Sequence, residues 1–374
     1  MDDIIDLRHE LHSNPELSGN EKSTAKRVVD FLSKYKPDEL YTDIAGSGIA
    51  AVYNGKVSGA TLLFRSDMDA LPIQESSNIP YCSKSKGIAH LCGHDGHMAM
   101  ISGLAKRLHE KPISKGRVIL FYQPEEENGR GAKKAIEELS KLKLTPDCAF
   151  AIHNMPKYPF GSIILGKYTF SAASRGMIIK LAGKNAHAAY PENGINPSGA
   201  VAEIIQTLNG AKYTKLFKGF ILATIVHVRV GEIAFGTSPG YAEVMATLRA
   251  FNNVDMQKLS DYADSSAKTI AFRYGLTIDI QFTDEFPATA CNPELTHTIE
   301  NIAKQQQRKV IFIDEPNRWS EDFAHFTTAI PSVIFGVGVG ENHPDLHTNS
   351  YDFPDEIISY GVDIMEGIVN RFQS

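Results

Sequence analysis

Between residues 168 and 282 the order of elements in this chain changes, and that change limits the folds open to it. Upstream, helix-spaced apolar residues (Ile4, Leu7 and Leu11, then Ala25, Val28, Val29 and Leu32) and short apolar runs at 48–53, 61–65, 117–122 and 148–153 alternate strand with helix. That is the pattern of an α/β sheet whose functional groups collect at strand ends. From 168 the reading becomes strand (177–182), helix (196–209), two strands (220–230 and 242–249), helix (254–274) and strand (276–282). This βαββαβ order fits a small split-βαβ sandwich. The first pattern then resumes, with a helix after Pro293, strands at 310–313 and 332–336, and a last helix from Asp355. The expectation is a domain of residues 168–282 inserted into a larger one built from 1–167 and 283–374. A chain of 374 residues is long enough for two cores.

Composition narrows the function classes. Hydrophobic residues make up 43% and charged ones 22%, and no apolar run approaches the ~20 residues that span a bilayer. Net charge is −6 with no basic block, which speaks against nucleic acid as a partner. The acidic, amphipathic start has neither the basic end nor the apolar core of a signal peptide. Four cysteines in a chain this long make no disulfide framework, so a reducing cytoplasm is expected.

Chemistry concentrates at CysGlyHisAspGlyHis, residues 92–97, which sets Cys92, His94, Asp95 and His97 between a strand-like run (61–69) and a helix-like one (98–109). A thiolate with imidazoles at a strand end suits zinc, and manganese or cobalt less selectively. Taken alone, the segment also admits a plainer reading, in which the histidines cap the helix and Cys92 is one more buried thiol. Asp95 is open to the same choice between helix cap and site residue. Against the plainer reading stand a second carboxylate cluster, Glu125-Glu126-Glu127, and two more strand-end histidines, His153 and His347.

Cys92, His94, Glu127, His153 and His347 form the expected ligand set for two divalent ions. A shared thiolate or carboxylate can bridge such a pair, which deprotonates a water and polarises a carbonyl together. Glu126, whose side chain must diverge from that of Glu127, is expected beside the water as the proton carrier. Glu125 is open to a solvated role at a helix start. Asp67 is expected to orient a ligating imidazole through its far nitrogen, with Asp69 as the alternative. His9, His12, His109, His227 and His297 are assigned no role.

Seven motifs appear in order: ArgHisGluLeuHisSerAsnProGluLeuSer (8–18), ArgSerAspMetAspAlaLeuPro (65–72), CysGlyHisAspGlyHis, GlnProGluGluGlu (123–127), AlaIleHisAsnMetPro (151–156), SerGluAspPhe (320–323) and LeuHisThr (346–348). Together they resemble the amidohydrolase branch of the aminoacylase and carboxypeptidase clan, peptidase family M20, subfamily D. That branch includes hippurate hydrolase, N-acetyldiaminopimelate deacetylase and plant auxin-conjugate hydrolases. The resemblance covers nearly the whole chain. It implies a mixed-sheet α/β catalytic domain holding two metal ions (manganese or zinc, with cobalt or nickel as further options). Cys92 would bridge, Glu127 and His347 would complete one site and His94 and His153 the other, with Glu126 as catalytic base.

The same resemblance makes the inserted domain a lid that pairs two chains into a homodimer. His187, in HisAlaAlaTyrPro (187–191), would reach the partner's site and stabilise the oxyanion. Arg249 would lie near the substrate carboxylate. The implied substrate is a small N-acyl amino acid, with no nucleic acid or membrane partner. A dipeptidase and a catalytically silent metal-binding relative are the alternatives. The chain departs from the family pattern at Glu125, at Trp319 and at PheGlyThrSerPro (235–239), where Gly236 stands in a segment that usually contains an asparagine; these changes leave the expected metal ligands untouched and bear on the choice of substrate instead.

Overall fold

A computed structural model describes residues 1–373. The chain divides into two compact units: residues 1–170, 289–315 and 322–373, and residues 171–288 with 316–321.

The first unit holds an eight-stranded mixed sheet. In chain order its strands are β1 (Glu39–Ile44), β2 (Gly48–Asn54), β3 (Val57–Asp67), β4 (Lys115–Gln123), β5 (Cys148–Pro156), β6 (Ile163–Gly166), β13 (Val310–Ile313) and β14 (Ser332–Gly340); β7 to β12 belong to the second unit. Their order across the sheet is β1-β2-β4-β3-β5-β14-β6-β13. The central strands β4, β3, β5 and β14 run parallel to their neighbours in that set, so their carboxyl ends share one edge. They read as continuous apolar runs because helices cover both faces: Ile119, Leu120, Phe121, Leu63, Ala149, Val333 and Ile334 are all inaccessible to solvent.

Six helices complete this unit: α1 (Asp2–Ser13), α2 (Lys22–Leu32), α3 (His94–Glu110), α4 (Gly131–Lys141), α7 (Pro293–Gln305) and α9 (Ile358–Gln373), with a short α8 (Ala324–Ala329). Helix α3 is buried along most of its length and starts four residues earlier than the apolar spacing predicts. Gly93 precedes it at φ +94, a left-handed conformation that glycine adopts without strain. The helix therefore begins inside the 92–97 cluster. Strands β1 and β6 and helix α8 are not among the elements expected from sequence: β1 is a half-exposed edge strand without a continuous apolar run, β6 is a four-residue apolar run, and α8 is only six residues long.

The second unit has the expected βαββαβ order: β7 (Ala173–Ala182), α5 (Ser198–Gly210), β9 (Ile221–Val230), β11 (Tyr241–Ala250), α6 (Asn253–Arg273) and β12 (Thr277–Phe286), with two-residue strands β8 (Ala186–His187) and β10 (Thr237–Ser238). The four long strands form an antiparallel sheet ordered β12-β7-β11-β9. Met177, Ile179 and Leu181 of β7 and Val244, Ala246 and Leu248 of β11 pack with Ile204 and Leu208 of α5 and with Leu259 and Ala263 of α6. Fully burying each larger aliphatic chain contributes about 1.5–3 kcal/mol. Residues 316–321, which the sequence groups with the flanking halves, join this unit. The stitches are main-chain bonds from Ala172 N–H to Asn317 O and Trp319 O and the Arg318 guanidinium over the Phe220 ring.

Candidate metal centre

The carboxyl-terminal sides of three strands, β4, β5 and β14, and the segment entering α3 bring the predicted ligands together. Cys92, His94 and His153 place their donor atoms within 4.8 Å of one another, and Cys92, Glu127 and His347 do the same. Cys92 is common to both groups. Cys92 and His94 come from the cluster before and inside α3, Glu127 from the loop after β4, and His153 from β5. His347 follows β14, at φ +62, with its N–H donated to Leu91 O. Cys92, His94 and His153 are buried, Glu127 is half-buried and His347 is exposed at the mouth.

The donor set fits divalent cations. Nε2 of His94 is buried with no hydrogen-bond partner, yet Asp67 Oδ2, Glu127 Oε1 and Glu126 Oε2 stand 3.6, 3.7 and 4.0 Å from it. Those spacings are too long for hydrogen bonds and suit oxygens and a nitrogen facing a common cation. Sγ of Cys92 is 3.7 Å from His153 Nε2, and His347 Nε2 is 3.7 Å from Glu127 Oε1. Burial, with His97 nearby, holds the His153 imidazole well below its usual value, and burial with His94 lowers His347. Neutral imidazoles are the form that binds metal. Burial drives the Cys92 thiol up although His94 opposes it, so a thiolate there calls for a cation beside it.

The imidazole of His94 is oriented by Asp69 rather than Asp67. Nδ1 of His94 is 2.8 Å from the main-chain oxygen of Asp69 and 3.5 Å from its Oδ1. The Oδ2 atom of Asp69 accepts Ser18 Oγ–H at 2.7 Å and Glu127 N–H at 2.9 Å. Asp67 instead faces His97, with Oδ1 2.6 Å from Nδ1, and accepts Arg65 Nη1 at 2.8 Å through Oδ2. The reason is the strand end: Asp67 is the last residue of β3 and Asp69 lies in the turn beyond it. His97 contacts Asn154 through its other nitrogen, so both ring nitrogens are engaged.

Glu126 is buried beside the cluster, with Oε1 3.3 Å from the Asp322 N–H. Asp322 is itself fixed by Arg65 Nη2 at 2.6 Å, Gln123 Nε2 at 2.8 Å and Ala132 N–H at 2.9 Å. Asp95 is no helix cap. It is buried against Arg8 (2.9 Å) and His12 (2.8 Å), and His12 reaches Glu75 on its other side. His12, Asp69 and Asp322 thus have definite partners that sequence spacing does not indicate.

His187 and Arg249 lie in the second unit. His187 is exposed, on a strand paired with Thr237. Its Nδ1 accepts the Ala189 N–H at 3.1 Å, which leaves Nε2 as the protonated nitrogen of the neutral ring. Arg249 is half-buried and donates through Nη1 to Arg318 O and Ser320 Oγ. Burial lowers its basicity, with no carboxylate offsetting the desolvation.

The fold and this cluster are those of a two-metal hydrolase. The model of peptidase family M20/M25/M40 matches residues 63–371, and the chain belongs to that family. It is similar to N-acetyldiaminopimelate deacetylase from Lactobacillus acidophilus, 29% identical over 98% of this chain and 97% of the relative. It is also similar to hippurate hydrolase from Campylobacter jejuni, 31% identical over 94% and 92%. A crystal structure described as a dinuclear metal binding peptidase of the M20 family, the YXEP protein of Bacillus subtilis, superposes with a TM-score of 0.85 at 26% identity, covering 99% of this chain and 98% of that one. The chain is an amide hydrolase of mixed α/β fold. No described helix is long and apolar enough to cross a membrane.

Proposed function

We propose that the chain hydrolyses N-acyl amino acids, releasing a carboxylic acid and a free amino acid. The observation that carries this reading is the pair of ligand groups sharing Cys92, with Glu126 buried beside them. Cys92, His94 and His153 would hold one divalent ion, and Cys92, Glu127 and His347 the other. Bound there, zinc or manganese (with cobalt or nickel as further options) would supply Lewis acidity and make water a better nucleophile.

The side chains do the rest. Glu126 accepts a proton from the attacking water and passes it to the leaving amine nitrogen. The Nε2–H of His187 donates to the carbonyl oxygen as negative charge develops on it. Arg249, desolvated and bonded only to neutral oxygens among its described partners, receives the substrate carboxylate. The deacetylase and hippurate hydrolase names of the relatives support an acylated amino acid as substrate.

The active form in this reading is a homodimer paired through the second unit. Support comes from β9, an edge strand exposing Val226 and Val228, and from the turn beyond it, where Ile233 and Phe235 are fully exposed. A reducing cytoplasm suits a thiolate ligand such as Cys92.

The test is amine release from N-acetyl amino acids, N-benzoyl amino acids and dipeptides, each with zinc, manganese or cobalt added. Release from the acyl amino acids is expected. Release from dipeptides alone would make the protein a dipeptidase, and no release with metals bound would make it a silent relative.

A further inference from the structure

Glu21 sits immediately before α2 and is inaccessible to solvent. Its carboxylate faces the loop that carries Glu126 and Glu127. Oε1 accepts two main-chain N–H groups, from Gly19 and from Glu125, each at 2.9 Å. Oε2 accepts the Ser47 hydroxyl, also at 2.9 Å. Both carboxylate oxygens are therefore engaged, and one of them bridges the amino-terminal segment to a loop 104 residues further along the chain.

The loop needs such a clamp. Glu125 has φ +58, in the left-handed region that a long side chain rarely adopts unless its surroundings impose it. Its main-chain oxygen accepts the N–H groups of Arg130 and Gly131. The turn is so tight that a Cβ at Gly131 would stand 1.8 Å from Pro124 O. On the far side of Glu126, the Glu127 N–H is held by Asp69. The backbone directing Glu126 and Glu127 is thus fixed at two N–H groups by two buried carboxylates. Asp69 also touches His94; Glu21 touches none of the proposed ligands among its hydrogen-bond partners.

We infer that Glu21 is a positioning residue for the reaction: its Oε1 locks the left-handed turn at Glu125, and so sets where Glu126 and Glu127 point. The inference rests on the proposed roles of those two residues, Glu127 as ligand and Glu126 as proton carrier. What Glu21 supplies is acceptor reach: the groups it accepts are two main-chain N–H groups and a hydroxyl, all neutral. Burial pushes its carboxyl above the ordinary value, against the pull of those N–H groups.

Reach and charge are separated by two substitutions. Glu21→Gln keeps the reach: its amide oxygen can accept both N–H groups, and its NH2 can donate to Ser47 Oγ. Glu21→Asp keeps the acid but withdraws it by about 1.5 Å, one carbon–carbon bond. Ser47→Ala removes the other contact of Glu21 and leaves the loop untouched. Zinc binding to the metal-free protein is measured by calorimetry, and kcat and KM are measured on the best acyl amino acid.

Glu21→Gln and Ser47→Ala are expected to match the wild type. Glu21→Asp is expected to lose about 10–100-fold in affinity for the ion that Glu127 helps hold. Its kcat should fall while KM stays near wild type, because the residues proposed to meet the substrate are unaltered. Normal zinc binding and kcat in Glu21→Asp would overturn the assignment. So would a Glu21→Gln variant as impaired as Glu21→Asp, or a Ser47→Ala variant that fails equally, since charge or packing would then be the cause. A wild-type protein that binds no zinc and cleaves no amide would sink the reading of the whole site. One that does both while Glu21→Asp behaves normally would sink Glu21 alone.

Discussion

Asp69 accepts the main-chain N–H of Glu127 at 2.9 Å through Oδ2. The same residue holds His94 Nδ1 through its main-chain oxygen, so one turn residue sets the direction of two proposed ligands from opposite ions. Outer partners of this kind typically account for about 10–100-fold in metal affinity. Asp69→Ala keeps the main-chain oxygen that meets His94 but removes the acceptor of the Glu127 N–H. It should therefore weaken zinc binding at the ion proposed for Glu127 by that amount, read by competition with a chromophoric chelator, and the folded protein should persist. An unchanged dissociation constant would mean that other contacts hold Glu127.

Glu126 has a different task from its neighbour, and the difference is measurable. Glu126→Gln preserves shape and keeps an oxygen for the Asp322 N–H, but it cannot take a proton. Turnover should fall by at least ~10²-fold while metal content stays at the wild-type level. A variant that loses metal would move Glu126 into the ligand set. One that turns over normally would remove it from the mechanism.

The proposed ligand types were legible because thiol, imidazole and carboxylate stand near strand ends, and the βαββαβ interruption was legible because the order of strands and helices changes at 168. The partners of those ligands were not. Asp67 and Asp69 are two residues apart at the end of β3, and only the turn after the strand decides which one meets His94. Arg65 and Asp322 meet across 257 residues, and His12 and Asp95 across 83. Nothing in local pattern encodes such pairings. The start of α3 was also read late, because His94 and Asp95 look polar in sequence while both are buried in the fold.

His12 gives the fold a pH dependence. Burial works against a charged imidazole there, but Asp95 and Glu75 outweigh it and raise the group from 6.5 to about 9. Since the folded value exceeds the unfolded one, the stabilisation is fully present below about pH 6.5. It fades as pH rises through about 9. Asp95 is held far below its usual range: burial opposes this, while Arg8 and His12 bring it about. Its contribution is therefore lost only in acid, below the ordinary carboxylate value. Unfolding in urea should show His12→Asn destabilised by on the order of 3 kcal/mol at pH 6. The gap from wild type should close towards pH 9; a gap independent of pH would mean that His12 stays neutral in the fold.

His187 lies in the unit that carries none of the five proposed ligands. It is exposed, and the Ala189 N–H fixes its Nδ1 so that Nε2 is left to donate. If that donor acts on the oxyanion of the partner chain, it contributes about 2.7–4 kcal/mol, the value of one such hydrogen bond. His187→Ala and Glu126→Gln should then each be nearly inactive as homodimers, since every site lacks either the donor or the proton carrier. After subunit exchange, a mixed dimer has one site with both residues intact, taken from opposite chains, and one site with neither. Random pairing in a two-fold dimer makes half the dimers mixed and half of their sites intact, so about a quarter of wild-type activity should return. Exchange can be followed independently by labelling each variant with a different fluorophore and measuring energy transfer. Full exchange with no recovery would show that His187 does not act across the dimer.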